Sequence, residues 1–218
     1  MDWLGFLKKV DKGMAYKTHE TKNRIIATAL ELIKTSGYEK VTVNEICREC
    51  NISKHTFYYY FLSKDDVLRK FYTIPKELTL ERLPEIFLED NCFERIWMFV
   101  EPSIDFFIDN GVEIAKCVFA ANITRDVGTF KMENRDHRFQ DIIISLYQKA
   151  HEAGEIRNNS DSEKLSHYSI TCLMSIIFQW ASTGGDFDLK KSIRECLEVI
   201  ADVPAEYRKN FNQTEEEI

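Results

Sequence analysis

Residues 42–64 read TVNEICRECNISKHTFYYYFLSK, two short helical stretches joined by a tight turn, and the rest of the chain is organised around them. Thr42 lies three residues before Glu45. Its hydroxyl can accept the Glu45 amide while the Glu45 carboxylate reaches back to the Thr42 amide, a reciprocal cap that starts a helix. The spacing predicts a helix over 43–50 with Val43, Ile46, Cys47 and Cys50 on its inner side and Asn44, Glu45, Arg48 and Glu49 left to solvent. Asn51 stands where a left-handed residue is needed, and Asn tolerates that conformation better than most residues with a Cβ. Ile52 plugs the turn, and Ser53 is a good N-cap for a second helix over 54–60. That helix opens on Lys54, His55 and Thr56 and continues through Phe57, Tyr58, Tyr59 and Tyr60 to Phe61. At about 100° per residue the three tyrosines cannot all face inward. A polar, partly basic helix N-terminus fixed by aromatic anchors suits a reader of the DNA major groove.

These features, with a predicted helix over 20–36, Gly37, the Ile52-Ser53 turn, the run Thr56-Phe57-Tyr58-x-Tyr60-Phe61 and Lys64, resemble the DNA-binding domain of the tetracycline-repressor (TetR) family over about the first third of the chain. Cys47 and Cys50 stand where that family usually has small alanine-like residues, and Asn51 where it usually has Gly; neither departure removes a capping or contacting group. The resemblance implies that Phe57, Tyr60 and Phe61 pack while Tyr58 and Tyr59 look towards the duplex. The candidate DNA-binding residues are Thr42, Ser53, Lys54, His55, Thr56, Tyr58, Tyr59 and Lys64. Lys64, at a helix N-terminus, can add its charge to free backbone amides and clamp a phosphate. For His55 the plainer reading is a solvated surface histidine.

Charge is unevenly spread. Residues 1–72 hold 13 Lys and Arg against 9 Asp and Glu, whereas residues 73–218 hold 16 against 27. The positive part coincides with the helix-turn-helix, as phosphate binding requires, and the acidic part is kept off the duplex. With 8 Gly, 4 Pro and little alternation of apolar and polar residues in 218 residues, the chain reads as all-α. No apolar run approaches the ~20 residues of a membrane span, and MDWLGFLKKV at 1–10 is too short and interrupted for a secretory signal. A cytoplasmic protein with six free thiols is expected.

Residues 1–17 form an extension whose Trp3, Leu4, Phe6 and Leu7 could dock on the body, lie on a membrane surface, or belong to a translated leader. The DNA-binding domain is expected at 18–64, with Thr18 or Thr21 capping its first helix, Gly37 ending it and Ile25, Ile26, Ala29, Leu32 and Ile33 as its apolar stripe. Residues 65–218 are expected to form a larger helical domain that binds ligand and dimerises. Ser63 caps a linking helix carrying Val67, Leu68, Phe71 and Tyr72, with Pro75 near its end. Further helices are predicted at 91–109, kinked or divided at Pro102, at 112–123, and at 135–153 after a polar loop around Gly128. Ser160 is expected to open a long helix to about 183, followed by a last helix around 189–200 and a frayed acidic end.

The 161–183 helix is apolar nearly all round, which predicts burial on both sides and a two-fold four-helix interface with the last helix. The interface residues expected are Ile170, Met174, Ile177, Phe178, Ala181, Ile193 and Leu197; the alternative is a central core helix of a monomer. Trp97, Phe119, Tyr147 and Phe178, on separate helices, are candidates to line a pocket, with plain core as the competing reading. Cys47-x-x-Cys50 has no second ligand pair at zinc spacing, so these cysteines read as small core residues and no metal or cofactor is expected. There is no Gly-rich phosphate loop, no G-x-S-x-G and no convincing paired-carboxylate motif, so the chain does not read as an enzyme. The expected function is a homodimeric transcriptional regulator that binds a double-stranded operator; the family implies a repressor released by a small-molecule effector. The alternatives are a ligand-independent DNA-binding regulator and a helical protein-binding adaptor.

Overall fold

The computed structural model describes residues 16–71, 79, 81–124 and 137–209. The expectations for residues 1–15, Tyr72, Pro75, the loop around Gly128 and the acidic end lie outside these residues. All regular structure among the described residues is helical. The helices are α1 (Tyr16–Ser36), α2 (Val43–Glu49), α3 (Lys54–Tyr60), α4 (Lys64–Phe71), α5 (Leu83–Leu88), α6 (Cys92–Asn110), α7 (Val112–Thr124), α8 (His137–Glu152), α9 (Ser162–Ser182) and α10 (Leu189–Ala201), with a 3₁₀ turn at Ala205–Tyr207.

The helices fall into two compact units. The first gathers α1 to α4 and α7, although the sequence divides the chain at residue 64. Its core is the inner stripe of α1 (Ile25, Ile26, Ala29, Leu30 and Ile33) closed by Ile46 and Cys50 from α2, Phe57 from α3, Phe61, and Val67 and Leu68 from α4. α7 packs against α1 and completes this unit. α1 begins at Tyr16, ahead of both Thr18 and Thr21, so neither threonine is its cap. It ends at Gly37, which donates to the Ile33 carbonyl at 2.9 Å and takes a φ of 81° that suits a residue without a Cβ.

The second unit contains α5, α6, α8, α9 and α10. α6 runs unbroken through Pro102. Burial of Phe99, Val100, Ile104, Phe106 and Phe107 around the proline outweighs the ~3 kcal/mol that an interior proline costs a helix. A buried ion pair ties α6 to α10: Arg194 donates to both oxygens of Glu94, Nη1 at 2.8 Å, and Nε donates to Glu198 at 2.7 Å. Its guanidinium also stacks 5.0 Å from the Phe93 ring and 5.4 Å from Trp97. α9 packs between α8 and α10, turning Leu165, Ser169, Leu173, Ile177 and Trp180 inward. Asp161, not Ser160, caps α9, accepting from the Glu163 amide at 2.8 Å, while the Ser160 amide is held by Asn158 in the loop.

Candidate nucleic-acid interface

The helix-turn-helix is built from short-range hydrogen bonds. Thr42 N donates to Glu45 Oε2 at 2.9 Å and Glu45 N donates to Thr42 Oγ1 at 3.2 Å, so α2 opens on the reciprocal cap that the sequence encodes. The bonds from the Thr42 amide and hydroxyl hold the Glu45 carboxyl below the usual carboxylate range. α2 closes at Asn51, left-handed at φ 51°, and Ile52 N donates to Cys47 O at 2.9 Å. Ser53 Oγ then accepts from Thr56 N at 3.0 Å and lies 2.9 Å from Thr56 Oγ1, which starts α3. Cys47 and Cys50 are buried in the core, Cys50 Sγ lies 3.8 Å from the Arg24 carbonyl, and burial pushes both thiols up.

α3 is two-faced. Phe57 is fully buried and Phe61, just beyond its end, is nearly so, whereas Tyr58 is 52% and Tyr59 73% exposed. Lys54 and His55 are exposed as well, on the first turn. Tyr58 meets Phe57 edge-on at 5.5 Å, and Tyr59 meets Tyr60 edge-on at 4.9 Å, so the outward rings are braced. One polar, cationic and phenolic surface is therefore held on a helix whose other side is sealed into a core. Its donors can reach base edges and phosphates, and its rings offer flat faces to sugars and bases.

The structure brings Ser53, Lys54, His55, Thr56, Tyr58 and Tyr59 together on one turn and helix, with Thr42 at the head of the neighbouring one. The hydroxyls of Thr42, Ser53 and Thr56 are engaged in capping, so their first role is to hold the two helices. Lys64 is placed differently from expectation. Its Nζ donates to Tyr38 O at 2.8 Å and to Val41 O at 3.0 Å and sits 4.3 Å from the centre of the Tyr38 ring, half-buried. Two carbonyls and an aromatic face outcompete solvent for the ammonium, which fastens the segment after α1 to the start of α4. Arg48, left to solvent by the sequence reading, is an exposed cation on α2, 3.1 Å from Glu49. Its signal was its outward phase on α2, the helix that in this motif crosses the DNA backbone.

The ligand-lining candidates are not gathered in one place. Phe119 lies on α7 in the first unit, whereas Trp97, Tyr147 and Phe178 belong to the second. Trp97 packs against Arg194, and Tyr147 is fully buried with its hydroxyl 2.6 Å from Ser169 Oγ. Phe178 is 48% exposed, on the outer side of α9.

The interface candidates also divide. Ile177, Ala181, Ile193 and Leu197 are buried in the protomer itself and have almost no surface left to give a partner. Ile170 and Met174 are half-buried and Phe178 exposed, and Tyr168 and Val199 add exposed apolar surface on α9 and α10. The error has a simple source: an all-round apolar helix does not say which of its sides its own chain covers.

The fold and the α2–α3 surface define an all-helical protein that carries a helix-turn-helix. Residues 25–71 match the bacterial regulatory proteins of the tetR family. Over those residues the chain is similar to the helix-turn-helix of that family. Among similar proteins, the HTH-type transcriptional regulator YuxN of Bacillus subtilis, itself uncharacterized, is 40% identical over 67 residues, 31% of this chain and 23% of YuxN. The match to YerO of the same organism covers 17% of that protein, so the chain aligns with less than a quarter of either relative. Solved structures align over most of the chain. A proposed fatty acid metabolism regulator of Clostridium perfringens is 26% identical with a TM-score of 0.59, covering 82% of this chain and 97% of that one. Thermus thermophilus FadR, a TetR-family transcriptional repressor solved with lauroyl-CoA, is 18% identical with a TM-score of 0.62, covering 82% and 92%. The second of these likenesses speaks for the fold alone.

Proposed function

We propose that this protein is a sequence-specific, ligand-responsive DNA-binding regulator, a repressor released from its operator by a small molecule, and that it works as a cytoplasmic homodimer and not as an enzyme. The observation that carries the DNA reading is the exposure of Lys54, His55, Tyr58 and Tyr59 on a helix anchored by buried Phe57. Lys54, His55 and Tyr59 contact base edges, and Tyr58 and Arg48 contact phosphates. Thr42, Ser53 and Thr56 hold these residues in place, and Lys64 completes the support from beneath. The domain for this work is residues 18–64, with 65–218 supplying ligand binding and dimerisation. Dimerisation through the outer side of α9 and α10 sets two recognition helices about 34–36 Å apart, one turn of the duplex.

For the effector, the likeness to a Clostridium fatty acid metabolism regulator and to a repressor solved with lauroyl-CoA favours a long-chain fatty acyl thioester. Trp97 and Tyr147 remain the side chains proposed to stand nearest the acyl chain.

Selection of bound sequences from a random duplex pool, followed by gel shifts over a salt series with and without lauroyl-CoA, tests each part. Enrichment of a palindromic site whose complex weakens steeply with salt and dissociates on acyl-CoA is the expected result. Failure to enrich any sequence overturns the DNA reading. Enrichment without response to acyl-CoA overturns this choice of effector and favours the ligand-independent regulator.

A further inference from the structure

A cavity of about 290 Å³ lies in the first unit, between the segment that leaves α1 and one face of α7, away from the recognition helix α3. Its hollowness follows from the sequence. α7 turns Cys117, Ala120 and Ala121 towards it, at i, i+3 and i+4, and Gly37 lines the opposite side without a side chain, so the two segments meet with little mass between them. A Cβ placed on Gly37 would meet nothing within 4 Å. The lining carries two ammonium groups, Lys40 and Lys116, against one carboxylate, Glu39. Lys116 donates to Glu113 at 2.9 Å in an exposed pair, whereas the exposed Lys40 ammonium has no bonded partner among the described residues. Tyr38 completes the wall and ties it to the helix-turn-helix. Its carbonyl accepts from Lys64 Nζ at 2.8 Å, its hydroxyl is bonded to Asp65 on α4, and the same Lys64 Nζ donates at 3.0 Å to Val41 O, one residue before the Thr42 cap.

We propose that this cavity is a small-molecule site for an aromatic monocarboxylate, separate from the acyl site proposed on the second unit. The ring of the ligand lies on Ala120, Ala121 and the Cys117 side chain beside Tyr38. Its carboxylate accepts from Lys40 and from Lys116, which exchanges out of a surface pair that holds it weakly. The volume stands at the low end for small-molecule pockets, so it admits one ring system with a short acid arm and excludes a long acyl chain. Occupancy clamps residues 37–40 to α7 and so restrains the connection from which α2 starts. That consequence for DNA rests on the function proposed above, and the binding itself does not.

Cys117 reports on the site, because it lines the cavity half-buried, whereas the other half-buried thiols, Cys172 and Cys196, belong to the second unit. The full-length protein is alkylated with iodoacetamide over a time course, alone and over a concentration series of indole-3-acetate or of the neutral indole-3-acetamide, and each cysteine is followed by peptide mass mapping. Indole-3-acetate is expected to slow alkylation of Cys117 severalfold and to leave Cys172 and Cys196 unchanged, with the amide protecting only at higher concentration. Ala120→Phe fills the cavity from an exposed helix position and removes the dependence on indole-3-acetate. Lys40→Gln brings the half-protecting concentration of the acid to that of the amide, and it decides alone if Ala120→Phe does not fold. A Cys117 that resists alkylation without any probe, alkylation indifferent to indole-3-acetate, equal protection of all three thiols, or equal protection by acid and amide overturns the proposal. Gel shifts run alongside are expected to show a changed Kd for DNA with indole-3-acetate in the unaltered protein and a smaller change in Lys40→Gln. Protection of Cys117 with no change in Kd overturns the coupling to DNA, and since alkylation needs no duplex, failure of the site and failure of the DNA reading are told apart.

Discussion

Lys64 and Lys54 carry the same charge within eleven positions of each other, yet their surroundings assign them different work. Lys64 is held by the Tyr38 and Val41 carbonyls, whereas Lys54 is exposed at the start of α3. Lys64→Ala leaves half-buried acceptors without their donor, and lost hydrogen bonds of this kind cost about 1–3 kcal/mol. The expected outcome is a lower melting midpoint together with weaker binding to every DNA sequence. Lys54→Ala should leave the melting midpoint unchanged and relax sequence preference, at about 1–3 kcal/mol for a base contact. Equal melting midpoints for both variants would show that Lys64 is not a support. Glu45 supplies a pH dependence. Its carboxyl is depressed by the Thr42 amide and hydroxyl, so the stability that it contributes is present above the ordinary carboxylate value of about 4.3 and is lost as pH falls through its lower folded value. Glu45→Gln should melt below the unaltered protein at neutral pH, and the gap should close on acidification below about pH 4. A gap that persists there would mean that the carboxylate charge is not what stabilises the cap.

α9 shows how one helix can be misjudged while its existence and length are read correctly. Its apolar residues cover nearly the whole circumference, but Ile177 is fully buried while Phe178, one residue on, is 48% exposed. Phe178→Glu should therefore leave a folded protein that sediments as a monomer and binds DNA poorly. Ile177→Glu should fail to fold, because it puts an unpaired charge into the core. A Phe178→Glu protein that remains dimeric at micromolar concentration would remove this side of α9 from the interface. The α6–α10 pair has its own signature. Glu94→Gln leaves the Arg194 guanidinium buried without its principal counter-charge, and breaking such a pair costs about 3–5 kcal/mol even where Glu198 remains in place. Urea denaturation should register most of that loss.

At the scale of the whole molecule, a ligand response requires a free-energy difference between two states of the protein. A change from mostly bound to mostly released needs about 5.5 kcal/mol of differential affinity. α4 and α7 both pack against α1 in the unit that holds the helix-turn-helix, so either can carry such a bias. Leu68 is buried on α4, and Leu68→Ala should loosen that packing. The expected outcome is a folded variant whose DNA complex responds less to effector while effector affinity changes little. Undiminished release in titration calorimetry and gel shifts run side by side would exclude α4 as the carrier.

The caps and the exposed face of α3 were legible in the sequence because caps, turns and aromatic anchors act over three or four residues. Thr42 and Glu45, Asn51, Ser53 and the alternation of Phe57 with Tyr58 and Tyr59 all state their roles locally. Pro102 does not divide α6, because a local breaker rule met a densely buried helix, and tertiary packing prevailed. Lys64 was misread because the carbonyls that hold it belong to residues more than twenty positions earlier. For the same reason α7 was counted with the larger domain: nothing within 112–124 records that α1 covers it. The sequence by itself determined the helices, their caps and the exposed face of α3, since these depend on neighbours along the chain. The tertiary structure alone decided which side of α9 is core and where Lys64 points, since each depends on which distant segment arrives alongside.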